Sequence, residues 1–322
     1  MLAYLIKRLL LGVVIVFAAL LTVFCLLHLM PGDPVSIALG TRATPEIQAQ
    51  YAEKMHLNDP LIVQFLIFAG QALTGDLGND VFSNRAVSVM VFEQLPYTVI
   101  LALSSITWAI LVGIPLGCLS AIRPNSWLDR ILGLISVGTI AIPSFLVSIW
   151  ALLLFAITLR WLPVIGAGEI GDPLDQATHL ILPSFAVGLG WVGYIARLAR
   201  ASMLEVMNEN YVRAAWAFGL KSNTVIYRYA LKVAVLPTIT MIGIGFGHLL
   251  SGTVFAEIIF ARPGIGKLIF DMVMARNFPV VQGAVMVTAA MYVVTTLVAD
   301  LMVAWLDPVS YTHLRAHETE AD

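Results

Sequence analysis

Leu180 to Ala196 and Val233 to Ala256 are uncharged runs of 17 and 24 residues, and between them stands Arg197 to Lys232, 36 residues carrying six of the chain's eighteen basic groups. A helix needs roughly 20 apolar residues to cross the ~30 Å hydrocarbon core of a bilayer. The second run is long enough by itself, and the first becomes so when extended back over His179 to Ala177. The pattern is span, polar elbow, span. Within the elbow, Leu204 to Phe218 is rich in helix formers, and Tyr211, Ala214, Ala215 and Phe218 recur at i, i+3, i+4 and i+7 to give one apolar face. Gly219 ends that helix, because glycine closes a C-terminus in the left-handed conformation without a Cβ penalty. Ser222 caps a second helix, Asn223 to Val233. Two short helices about a tight turn suit a rigid protrusion that docks in a groove of a soluble partner. A solvated loop with a fortuitous apolar stripe has the same composition, so periodicity leaves both readings open.

Four more runs lie to either side: Leu9 to Met30, Tyr97 to Ile122, Ile131 to Leu159 and Asn277 to Ala299. Six spans in 322 residues agree with a composition that is 59% hydrophobic and 12% charged, against roughly 45 to 50% and 25% in soluble proteins. A mean hydropathy of +0.90 over this length excludes a single soluble core, which stops growing at about 250 to 300 residues. The fold class is an all-α integral membrane protein. A net charge of -2 provides no basic field for nucleic acid. Cys25 and Cys118 lie in apolar runs and read as packing residues, with neither a disulfide framework nor a metal set. The first apolar run exceeds the 7 to 15 residues of a signal-peptide core and ends in Met30-Pro31-Gly32-Asp33-Pro34, so it reads as an uncleaved span.

Basic residues set the orientation. Segments 1–8, 123–130 and 197–232 hold 10 Lys and Arg in 52 positions, whereas segments 31–96, 160–179 and 257–276 hold 7 in 106. The first set is assigned to the cytoplasm, with both termini inside. The outer segment 31–96 carries helix and turn signals. Thr44-Pro45-Glu46 is a hydroxyl cap, an N1 proline and an early acid. Asn58-Asp59-Pro60 is a break before the 13-residue apolar run Leu61 to Leu73, too short to span, and Gly75-Asp76-Leu77-Gly78 is a turn. Tyr311 to Asp322 are polar, without apolar periodicity, and residues 309–322 are read as a tail apart from the fold, resembling translated vector sequence.

The run Tyr211-Val212-Arg213-Ala214-Ala215-Trp216-Ala217-Phe218-Gly219, with Pro237 downstream, resembles the EAA loop of permeases of binding-protein-dependent ABC importers, specifically the dipeptide/oligopeptide branch. Four other passages match that branch: Met30-Pro31-Gly32-Asp33-Pro34, Gly75-Asp76-Leu77-Gly78, Arg262-Pro263-Gly264-Ile265-Gly266 and Pro279-Val280-Val281-Gln282-Gly283. The resemblance extends from Met1 to Pro308. It departs at Arg213, where the motif has Glu, at Arg262, where Trp is usual, in a longer Gly-to-Pro spacing than sugar-importer permeases show, and in lacking a basic ending after Asp307-Pro308.

The resemblance implies the type I ABC importer permease fold with six transmembrane helices in a bacterial inner membrane. It implies that Tyr211, Arg213, Ala214, Ala215, Phe218, Gly219 and Lys221 couple the spans to an ATPase. The implied partners are a second homologous permease, cytoplasmic ATPase subunits that bind ATP and magnesium, and an extracytoplasmic solute-binding protein for which segment 31–96 is a candidate dock. This chain would then hold no cofactor and no catalytic residue. The implied substrate is a dipeptide or oligopeptide, with glutathione or a nickel chelate as alternatives in the same family.

Ionisable groups within spans are functional by default. His248 shares a face of the fifth span with Ser251 at i+3. His248 and Ser251 are pathway candidates, or His248 is a hydrogen-bonded packing residue; a Ser/His hydrolase would also require an oxyanion hole. Glu257 and Asp300 fall at span ends. An ion-coupled secondary transporter, the rival of another class, would show mid-membrane carboxylates and commonly internal repeats. Ala261 to Leu268 mimics a P-loop only in its Gly-Lys, with Ala261 at the first glycine and Leu268 at the hydroxyl position, and reads as a turn. Gly113 to Gly117 and Gly243 to Gly247 are helix-packing spacings, and Pro115, Pro143 and Pro183 are expected to kink their spans.

Overall fold

The structure, a computed structural model, describes residues 2–29, 44–46, 49, 53 and 58–306. The Met30 to Pro34 motif, most of the helix expected from Thr44, and the tail with His313 and His317 lie outside the described residues. The helices are α1 (Leu2–Leu29), α2 (Leu61–Leu73), α3 (Val87–Ile122), α4 (Trp127–Ala141), α5 (Ser144–Ala151), α6 (Pro173–Val206), α7 (Asn210–Ala217), α8 (Leu231–Ala234), α9 (Leu236–Ile259), α10 (Ile265–Met274) and α11 (Phe278–Leu306). π-Helical turns follow α5 over Leu152–Thr158 and precede α8 over Thr224–Ala230. The only β contact among the described residues is an isolated bridge, Asn79 with Ala86.

Among the described residues, five stretches are long and apolar enough to cross a membrane, and six when the bent pair Trp127–Ala141 and Ser144–Thr158 counts as one span. That pair replaces the single run expected over Ile131 to Leu159, for its halves meet at 98°. The cause is Pro143, whose ring pushes the preceding residue out of the helical region. Ile142 is accordingly extended at φ −84°, ψ 121°. Pro115 and Pro183 act differently, lying inside the continuous helices α3 and α6. The 34 residues of α6 make a rod about 51 Å long, so it runs well beyond the ~30 Å apolar core. The fifth apolar stretch starts at Thr224 rather than Val233. The apolarity of its first turns serves the protein's own core, for Val225, Ile226 and Ala230 are buried there.

The chain divides into two compact units, Met1–Thr98 with Pro263–Val294, and Val99–Arg262 with Thr295–Asp322. In the first unit α2 packs on α1, with the Phe65 ring edge-on to Phe17 at 5.3 Å and to Phe24 at 5.4 Å. A second core joins Leu77, Val87, Val91, Ile265, Val280 and Ala284. The turn that delivers Leu77 uses two left-handed glycines, Gly75 and Gly78, and Asp76 Oδ1 accepts the Gly78 N–H at 2.9 Å.

In the second unit α6 is the common packing partner. Asp172 caps it by accepting from the N–H groups of Leu174 and Asp175, with Pro173 at the first helical position. Small residues let neighbours close on it: a Cβ at Gly117 would lie 2.5 Å from the Ala196 carbonyl oxygen, and one at Gly193 2.3 Å from Thr139 Oγ1. The Trp108 indole N–H donates to the Ser184 carbonyl at 2.7 Å. Gly243 of α9 meets Ala299 of α11 at a built-Cβ distance of 2.8 Å. Both glycine spacings singled out in the sequence thus contain a residue at a close helix contact.

Candidate functional site

The elbow departs from its expected form. One helix was expected over Leu204 to Phe218, but α6 continues to Val206 and α7 begins only at Asn210. The expected apolar face is also divided. Ala215 is 5% exposed and Val212 fully buried, both in a core with Cys118, Ala121, Met203, Val206 and Val225. Phe218 is 85% exposed, and Tyr211, Arg213, Ala214, Trp216 and Lys221 are exposed as well. The heptad spacing could not separate these groups, because Val212 and Ala215 form a second stripe at i, i+3 that the chain itself covers. Gly219 follows at φ +74°, and its N–H donates to the Trp216 carbonyl at 3.0 Å. A side chain there would meet no atoms within 4 Å, so glycine is required by the backbone angle alone.

Beside this elbow core, sequence reasoning missed an ion pair. Arg200 of α6 grips Asp129 of α4 in two hydrogen bonds, Nε to Oδ1 at 2.6 Å and Nη2 to Oδ2 at 2.8 Å. Asp129 also accepts from the Ser120 hydroxyl of α3 and the Asn125 N–H. Its own N–H donates to Ser126 Oγ, the cap of α4. The Asp129 carboxylate is thus buried yet fully engaged, by the guanidinium, a hydroxyl and a backbone N–H. The signal available in the sequence was two charges at the rims of neighbouring spans, with no means to pair them across 71 positions.

A cleft of about 270 Å³ opens at the α4–α5 break, lined by Ile140, Ile142 and Ser144 from the break, Val187, Gly190, Trp191 and Tyr194 from α6, and His248, Leu249 and Gly252 from α9. His248 is exposed to this cleft. Ser251 stands three residues along α9, its side chain not among those described. Glu257, expected at a span end, lies near the end of α9 and is wholly buried, and Arg262 is buried as well, its backbone N–H donating to the Glu257 carbonyl at 2.9 Å.

The first unit brings three separate motifs together. Leu77, Ile265 and Val280 share one core, and a Cβ at Gly283 would lie 2.5 Å from Val87 Cγ1. Above it Asn277, fully buried, donates from Nδ2 to Asp80 Oδ1, and the Ile265 N–H donates to Thr98 Oγ1 at 2.8 Å. Burial raises the Asp80 carboxyl, but hydrogen bonds from the Ser83 hydroxyl and N–H, Asn277 and the Phe82 N–H together bring it below the ordinary value. Ala261 to Leu268 is a turn into α10 rather than a phosphate loop, with the Lys267 ammonium bonded to Asp271. No group of three or more His, Cys, Asp or Glu side chains suited to a metal occurs among the described residues.

Apolar spans, one broken at a cleft, with a short helix half-exposed between two of them, define a multi-pass membrane protein. The chain belongs to the family described as binding-protein-dependent transport system inner membrane component, which matches residues 113–309, with the corresponding N-terminal family over residues 1–102. The dipeptide transport system permease protein DppB of Alkalihalophilus pseudofirmus is 34% identical over 96% of this chain and 99% of its own length. The probable peptide ABC transporter permease protein y4tP of Sinorhizobium fredii is 34% identical over 95% and 98%. The glutathione transport system permease protein GsiC of Escherichia coli O6:H1 is 33% identical over 96% and 98%. The inward-facing MetNI methionine ABC transporter shares the fold, with a TM-score of 0.56 and 16% identity over 66% of this chain and 94% of that one. The protein is a permease of the peptide branch of ABC importers, a transport component rather than an enzyme.

Proposed function

We propose that the chain forms half of the translocation pathway of an importer for dipeptides or oligopeptides and is driven through its elbow by separate ATPase subunits. The observation that carries this reading is the divided face of α7: Val212 and Ala215 anchor it in the protein's own core while Phe218, Tyr211 and Trp216 remain bare. A short helix fixed on one side and apolar on the other is a preformed knob for a groove. Arg213, Ala214 and Lys221 are exposed around it, and Gly219 sets the angle at which it leaves the elbow. A second permease completes the pathway, the ATPase subunits bind ATP and magnesium, and a solute-binding protein delivers cargo from outside, docking on segment 31–96. Both termini are cytoplasmic on the basic-residue count. His248, with Ser251 beside it on α9, belongs to the pathway.

The named relatives transport dipeptides, peptides and glutathione, all short chains of amide-linked residues, so glutathione is the second reading of the cargo. ATP-driven closure of the ATPases shifts the spans between two states, and cargo moves that equilibrium only through its differential affinity for them. The test is co-purification of ATPase subunits with Phe218→Asp and Gly219→Val variants. Loss of the ATPases from an otherwise folded permease is expected; full recovery with normal uptake would remove the elbow's assignment.

A further inference from the structure

We propose that the cleft at the α4–α5 break is a selective contact for the peptide in transit. It takes an apolar or aromatic side chain against Trp191 and a carboxylate or amide oxygen of the same peptide at His248. The inference rests on the transport reading above and deepens it by naming what is held and by which residues. The volume of about 270 Å³ is just below the ~300 to 1,000 Å³ of small-molecule sites, a size for one or two amino-acid residues. Its lining is aliphatic and aromatic apart from His248, Tyr194 and Ser144, with no carboxylate, lysine or arginine. A cationic peptide side chain would therefore lose water without gaining a counter-ion, whereas an apolar one gains by burial.

The aromatic wall is fixed in advance. A Cβ built on Gly245 would lie 2.1 Å from Trp191 Cη2, so the indole occupies the space that any other residue at 245 would fill. On α6 the indole meets the Tyr194 ring edge-on, centroids 5.7 Å apart. A side chain locked in this way loses little freedom when a ligand arrives. Across the cleft, Ile140 and Ile142 are held by the Pro143 break. The cleft is thus bounded by a span bent by 98° at its break, and non-helical backbone at membrane depth is tolerated where it lines a cavity.

The experiment compares uptake of Leu-Phe, Ala-Ala and Lys-Lys, per ATP hydrolysed, in proteoliposomes holding the complete importer and its binding protein. Binding-protein affinity for each peptide is measured separately. Trp191→Ala is expected to lower Leu-Phe uptake about tenfold relative to Ala-Ala. Gly245→Ala, which must displace the indole, should act in the same direction. His248→Leu should raise the KM for all three, with partial rescue by His248→Gln. An equal proportional change for Leu-Phe and Ala-Ala in Trp191→Ala, or no change in either, overturns the cleft assignment alone. A wild-type importer that takes up none of the three overturns the peptide reading and the cleft with it.

Discussion

The motif junction of the first unit and the elbow of the second are built from family-like sequence in both cases, yet they treat their apolar residues in opposite ways. At the junction, Leu77, Ile265 and Val280 are all turned inward, and even the polar Asn277 is fully buried. Within α7 of the elbow only Val212 and Ala215 turn inward, and Phe218 just beyond it stands out at 85% exposure. Burial satisfies an apolar side chain inside its own fold, so the junction motifs are explained by the fold alone. An exposed phenylalanine at the end of a helix anchored in its own core is left unexplained by the fold, and it is there that the proposed ATPase dock lies. Resemblance in sequence therefore carries two kinds of information that only burial separates.

The sharpest way to break the contrast lies within α7. Ala215→Asp places an unpaired charge in the elbow core and should destabilise the protein by about 3 kcal/mol, near the cost of an uncompensated buried charge. Thermal unfolding of the purified permease reads this. The failure would be of the chain's own fold, before any dock is reached. At the junction, Asn277→Leu removes a donor from buried Asp80 and should cost about 2 kcal/mol, measured as a lowered Tm with ATPase binding retained in the surviving fraction. Asp129→Asn, which weakens the Arg200 pair, should cost about 1.5 kcal/mol, since the Arg200 side chain is one third exposed and partly rehydrates. Phe218→Asp should change stability by less than ~0.5 kcal/mol while lowering ATPase recovery at least tenfold; equal losses in both measurements would erase the distinction between the two regions.

A pH scan gives the smallest effect. The Asp80 carboxyl is depressed in the folded protein. Its stabilisation is fully present above the unfolded value of about 3.9 and is lost as pH falls through the lower folded value. Unfolding followed from pH 6 to 3 should show stability falling only below about pH 4, and Asp80→Asn should flatten that fall. A decline beginning near pH 6 would assign the dependence to histidine instead.

The sequence by itself determined the helical class, the apolar spans, the limits of α2 at Leu61 and Leu73, and the turn at Gly219. Each follows from local rules: a run long enough for a bilayer, a proline before a helix, a residue that tolerates positive φ. Pro143 was legible as a kink, though not as a 98° break, because bend angle depends on what packs against each half. Only the tertiary structure decided that Val212 rather than Phe218 is buried, that Arg200 meets Asp129 across 71 positions and Asn277 meets Asp80 across 197, and that Trp191 fills the space above Gly245. Those pairings depend on which helix faces lie opposite each other. Periodicity along one helix fixes a face, but the neighbour that covers it is chosen by packing between segments far apart in the chain.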